Sequence, residues 1–269
     1  MGSAKQGDKI VVWFSCGAAS AVALKKTVEK YGDICQIEAI NNPVAEEDED
    51  NRRFLKDVEK WTGVKIQVIG NPAFKDNSAK SVWDKRKAMS FPKGAPCTLA
   101  LKREVRAAYE LFNTFDWVVF GFTTGEEHRD ARQRTDNPIL SVLIDEGLSK
   151  GDCFNIIKEA GIKLPRVYSE KSRFGDGYPN ANCIGCVKAT SPTYWNHVRE
   201  TRPDVFADRV KQSRELGVRL VRVKGKRIFL DELHPDAKGH SMKTMKVECG
   251  ILCEPTPPET TDRKGENNV

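Results

Sequence analysis

Cysteine is the residue type whose spacing in this chain most plainly invites chemistry. Of the eight cysteines, Cys183 and Cys186 stand in "CIGC", Cys249 and Cys253 in "VECGILCE", and Cys97 directly after a proline in "PCTLALK". A C-x-x-C spacing turns two thiolates around one metal region. Thiolates suit zinc and iron–sulfur clusters alike, so ligand chemistry by itself leaves the metal open. Cys16, Cys35 and Cys153 lie in or beside apolar or helical runs and read as small core fillers. A second candidate is the loop "SCGAAS", where an apolar run stops at Ser15 and small residues follow. Small residues let backbone N–H groups approach an anion, a following helix aims its dipole at it, and Ser15 and Ser20 add hydroxyls. A phosphate is the expected guest of Ser15, Gly17, Ala18 and Ser20. A third candidate is "GEEHRDARQR", in which Arg129, Arg132 and Arg134 follow Glu126 and Glu127. Guanidinium groups grip sulfate and phosphate bidentately, and Arg132 is the best single candidate.

The elements that must position these residues alternate. "KIVVWFS", "ICQIEAI", "VKIQVIG" and "DWVVFGFT" read as buried strands. "AASAVALKKTVEKY", "EDEDNRRFLKDVEKWTG" and "CTLALKREVRAAYELFNT" read as helices. That order predicts an α/β fold, a doubly wound, Rossmann-like parallel sheet with right-handed crossovers. It puts "SCGAAS" at the mouth of the first strand–helix turn, where such sheets bind ligands. Residues 8–145 form this nucleotide-binding domain in the reading. Residues 146–255 form a smaller segment: a short helix "CFNIIKEAGI", a Gly/Asn/Pro-rich loop carrying "CIGC", two helices broken at Pro203, and a hairpin turning at Gly225. Residues 256–269 read as a disordered tail.

Composition narrows the function classes. Lys and Arg total 44 against 38 Asp and Glu, a formal charge of +6 that suits anionic ligands without demanding a polymer. The stretch "RVKQSRELGVRLVRVKGKR" reads as a solvated face. Neither a bilayer-length apolar run nor a signal-like start is present, so the expectation is a soluble, cytoplasmic protein whose cysteines are thiols or metal ligands.

"SCGAAS" resembles a divergent form of the S-G-G-x-D-S loop of the adenine nucleotide α-hydrolase (PP-loop) superfamily, with Ser15, Gly17 and Ser20 in register. "GFTTGEEHRDAR" is similar to the G-x-R-x-x-E-S-x-x-R segment of phosphoadenylyl-sulfate (PAPS) reductases, through Gly121, Glu127 and Arg132. "VECGIL" resembles their E-C-G-[IL]-H signature through Glu248, Cys249 and Gly250, and "PCTLALK" and "CIGC" resemble the cluster-binding pairs of adenylyl-sulfate (APS) reductases. The resemblance implies an adenine nucleotide ligand (ATP, APS or PAPS) and a four-iron, four-sulfur (4Fe-4S) cluster on Cys97, Cys183 and Cys186, with Cys249 or Cys253 as candidates to complete it and zinc as the alternative metal. The sequence departs from the pattern at Pro96, where a second cysteine is expected, at Ala19, where ATP-cleaving members carry Asp, and at Leu252, where the signature has His.

Three readings follow. In the first, Cys249 attacks the sulfur of an adenylylated sulfate, and an external thiol or redox protein releases the product. In the second, ATP adenylates a nucleobase or similar carbonyl oxygen, and sulfide carried on a three-cysteine cluster displaces AMP, with RNA as a possible partner. In the third, the chain is a nucleotide-binding regulator with structural zinc, which binds nucleotide without turnover or visible absorption.

Overall fold

The computed structural model describes residues 3–91, 94–135, 137–243 and 245. Cys249, Cys253, the rest of the "VECGILCE" motif and the C-terminal tail lie outside the described residues.

In chain order the elements are β1 (Lys9–Trp13), α1 (Ala18–Tyr31), β2 (Gln36–Asn41), α2 (Asp50–Thr62), β3 (Ile66–Val68), α3 (Ala79–Arg86), α4 (Pro96–Thr98), a π-helical turn (Leu99–Arg103), α5 (Glu104–Phe112), β4 (Trp117–Val119), α6 (Glu127–Arg134), α7 (Val142–Asp145), α8 (Lys150–Glu159), α9 (Pro192–Thr201), α10 (Pro203–Glu215), β5 (Val221–Val223) and β6 (Lys226–Ile228). The main sheet is parallel, in the order β3-β2-β1-β4. The α/β expectation therefore holds, and β1 lies at the centre, as its apolar run requires of a strand covered on both faces. Ile10, Val12 and Phe14 face one core with α1 and α8, while Val11 and Trp13 face another with Ile40, Tyr109 and Phe120.

Several local expectations are met. The hairpin turns at Lys224 and Gly225, both with positive φ (47° and 82°), the backbone of a tight two-residue turn. Two helices meet at Pro203. The helix read across "CTLALKREVRAAYELFNT" is instead interrupted by the π turn, a local widening that apolar spacing does not encode. No helix among the described residues is long and apolar enough to cross a membrane.

Packing continues across residue 145. Alpha helix α8 packs on α1, and the largest apolar core joins Val44, Trp83 and Leu101 to Ile184, Trp195 and Leu220. Buried Asp48, in the loop after β2, bonds Arg166 at 2.8 Å and Arg202 at 2.7 Å. The backbone N–H of Ile184 donates to the carbonyl of Glu46 at 3.0 Å. The segment that carries "CIGC" is thus hung on the loop leaving the second strand.

Candidate functional site

The turn from β1 into α1 is held by its own serines. The Ser15 N–H donates to Ser20 Oγ at 3.1 Å, and the Ser20 hydroxyl donates to the Gly17 carbonyl at 2.9 Å. Cys16 takes the sharp bend with φ 57°, a left-handed conformation that costs a residue bearing a Cβ about 1–2 kcal/mol. Its thiol points inward, 97% buried, and accepts from Asn41 Nδ2 at 3.5 Å. Burial pushes that thiol far up, so it is inert at neutral pH, in keeping with the reading of a core filler. Gly17 caps α1 with an ordinary φ of −89°. A Cβ there would meet Tyr168 Oη at 3.4 Å, an ordinary contact. Gly121 is different: a Cβ on it would lie 2.7 Å from Ser20 N and 2.9 Å from the Ala19 carbonyl carbon, both rigid backbone. The glycine that shapes this turn sits on the loop after β4.

Above the turn opens a cavity of about 920 Å³, a size that suits a nucleotide. Of the residues expected to bind phosphate, Ser15, Gly17, Ala18, Ser20, Gly121 and Arg129 line it; Glu127 and Arg132 do not. Alpha helix α6 buries Asp130 and Gln133, and its spacing rotates Arg132 off that stripe into solvent. Glu127 is exposed and accepts from the Gly125 N–H at 2.8 Å, which holds its carboxyl below the usual range. Arg134 is committed to Asp130 at 2.7 Å and to Ser141. Arg129 pairs with Glu126 and lies 4.9 Å from the Phe122 ring.

Sequence reasoning missed three residues that the fold brings to this cavity: Lys102, Lys150 and Tyr168. Lys102 lies in the π turn, and its ammonium meets Glu47 at 3.1 Å, both side chains almost fully buried. Tyr168 Oη accepts from the Ala18 N–H, the first of α1, at 3.3 Å. Burial pushes its phenol up to about 12, so it stays neutral. Nothing local ties these three residues to residue 15.

Cys97, Cys183 and Cys186 line one small gap of about 10 Å³, together with Trp83, Ala95 and Gly185. Pro96 opens the helical run, placing Cys97 in its first turn. The C-x-x-C turn is braced by Tyr194, whose Oη accepts from the Cys186 N–H at 2.9 Å and donates to the Cys183 carbonyl at 3.4 Å. Arg209 Nε donates to the Gly185 carbonyl at 3.1 Å, and Gly185 has φ 71°, where a side chain would be strained. Among the described residues, no three His, Cys, Asp or Glu side chains converge closely enough to hold a single metal ion. Cavity and gap adjoin along the chain. Asn182 lines the cavity and Cys183 the gap, and Lys102 lines the cavity five residues after Cys97.

No family model and no curated protein sequence matches the chain. Among solved structures it is similar to the U34-tRNA thiolase NcsA from Methanococcus maripaludis with its 4Fe-4S cluster. Identity is 12%, the match covers 92% of this chain and 84% of that one, and the TM-score is 0.43. That degree of likeness assigns neither ligand nor reaction.

Proposed function

We propose that this chain is an adenine-nucleotide-dependent sulfurtransferase of the PP-loop type, with an iron–sulfur cluster on Cys97, Cys183 and Cys186. The observation that carries the reading is the juxtaposition just described: three thiols from two distant segments line one gap, and their chain neighbours line the cavity over the α1 turn. The donor set fits the cofactor. Thiolates are the ligands that iron–sulfur clusters take, and these three line one gap. Such a cluster, held by Cys97, Cys183 and Cys186, would supply an iron able to deliver sulfide.

The chain's own residues do the rest. The N–H groups at the start of α1, with Ser15 and Ser20, seat the nucleotide phosphates. ATP then adenylates a carbonyl oxygen of the acceptor and releases pyrophosphate, and sulfide displaces AMP, which leaves with that oxygen. Lys102, paired with Glu47, lines the cavity and can steady charge developing there.

One observation favours the reductase as a second reading. The first turn of α1 holds no carboxylate, so the loop itself offers no acidic ligand for the magnesium of ATP. APS or PAPS would need none for phosphate cleavage. Cys249 would then be the nucleophile, with an external thiol or redox protein as reductant.

The deciding experiment is anaerobic purification with iron and acid-labile sulfide analysis, followed by two incubations. ATP, sulfide and RNA should yield a thionucleoside detectable by mass spectrometry. APS or PAPS with a thiol should yield neither sulfite nor a sulfonate adduct on Cys249; either product replaces the first reading with the second.

A further inference from the structure

We infer that Lys150 supplies the positive charge that holds the anionic end of the ligand over the Ser15–Ser20 turn. The inference rests on reading the cavity as a nucleotide site and names a residue that neither the motifs nor the sequence resemblance assigned.

Lys150 is an electrostatic anomaly. It is the first residue of α8, fixed there by a capping box in which the Asp152 N–H donates to Ser149 Oγ at 3.2 Å and the Ser149 N–H donates to the Asp152 carboxylate at 2.8 Å. The first turn of a helix is its positive end, where a cation is disfavoured. The side chain is also largely withdrawn from water, and that desolvation pulls its ammonium below the usual lysine range. Nζ donates to the carbonyl of Pro179 and to Asn180 Oδ1 at 2.7 Å, which are dipoles and not charges. Among the described residues no carboxylate reaches ion-pair distance of it; Glu126, more remote, acts only through the field. A desolvated cation at the wrong end of a helix, without a counter-charge, lowers stability unless something anionic joins it.

The cavity it lines points to where that anion sits. Lys150 Nζ lies 5.7 Å from the centre of the Tyr168 ring. The hydroxyl of that ring rests on the first N–H of α1. Tyr168 is neutral, so it cannot be the missing anion. Lysine ammonium, tyrosine hydroxyl and the opening N–H groups of α1 therefore line up along one wall. Phosphoryl or sulfonyl oxygens would complete all three.

The test is calorimetric titration of the full chain with adenosine, AMP, ATP and inorganic pyrophosphate, comparing the parent with Lys150→Met and Lys150→Arg. Lys150→Met should lower affinity for ATP by about tenfold to a hundredfold, the size of a lost charge-assisted contact, and leave adenosine unchanged. Lys150→Arg should keep most of the ATP affinity. An equal loss for adenosine and ATP would show Lys150 to be only a clamp on the 179–180 loop, and unchanged ATP binding in Lys150→Met would equally overturn the inference. Should Lys150→Met fail to fold, Lys150→Gln carries the same comparison. A parent that binds pyrophosphate through Lys150 but no nucleotide leaves this inference standing and removes the nucleotide reading. A parent that binds none of the four removes both.

Discussion

The turn after β1 and the "CIGC" turn are both sharp bends stabilised by a handful of hydrogen bonds, yet they are built on different principles. The first is almost self-contained. Ser15, Gly17 and Ser20 bond one another within six residues, while Asn41, Tyr168 and the backbone at Gly121 come close from outside. The second is assembled from afar: Tyr194, Arg209 and the Glu46 carbonyl hold it, and its third cysteine arrives from residue 97. A local device survives small changes around it. An assembled one depends on every contributor.

The largest expected effect tests the assembled turn. Cys97→Ser, Cys183→Ser and Cys186→Ser should each lose most of the iron and labile sulfide of anaerobically purified protein, because binding by three ligands is cooperative. Any one of them retaining the parent's iron content would break the comparison at its central claim.

Next come the two glycines of the local turn. Gly121→Ala drives a Cβ into backbone, and overpacking of this kind costs about 1–3 kcal/mol, so both the melting temperature and nucleotide affinity should fall. Gly17→Ala, with room and an ordinary φ, should fold like the parent, and calorimetry should detect little loss of affinity. Reversal of that order would mean that the loop, and not its neighbour, sets the geometry.

His197 on α9 gives a similar-sized effect with a defined sign. It is fully buried, its Nδ1 meets Ser172 Oγ at 2.7 Å, and its Nε2 has no partner among the described residues. Burial pulls it down to about 4, below the ordinary 6.5. The unfolded chain therefore takes up a proton that the fold refuses, and stability should fall as pH drops from about 6.5 to 4, by on the order of 1–3 kcal/mol. His197→Gln should flatten that window in denaturant titrations. The "CIGC" core, to which α9 belongs, should loosen in acid before the β1–α1 turn does, a sequence that hydrogen exchange can follow.

The smallest effect is expected at Arg132. Arg132→Ala should change nucleotide affinity by less than about twofold, as surface substitutions usually do, while Arg129→Ala should weaken it measurably. An Arg132 variant with lost binding would restore the sequence reading of that helix.

Legibility in the sequence followed the same division. The strands, their parallel pairing and the β1–α1 turn could be read because an apolar run, a small-residue loop and a helix are consecutive. The hairpin at Gly225 was readable for the same reason. That Arg132 lies outside the cavity lining was not legible, because α6 is mostly charged and no apolar stripe marked its inner face. Lys102, Lys150 and Tyr168 were invisible because their partners are distant in the chain: Glu47 for Lys102, Pro179 and Asn180 for Lys150, and Ala18 for Tyr168. The π turn was invisible because a change in helical pitch leaves the residue types unaltered. The three cysteines were found by resemblance, and their meeting at one gap is a property of the fold.

The brace that Tyr194 and Arg209 place on the "CIGC" turn bears on what holds its shape. Both side chains hold the backbone of residues 183–186 without calling on any thiol. The turn thus keeps its shape by hydrogen bonds alone, so if a cluster is bound there a chelator should remove the iron while amide protection at Gly185 and Cys186 persists.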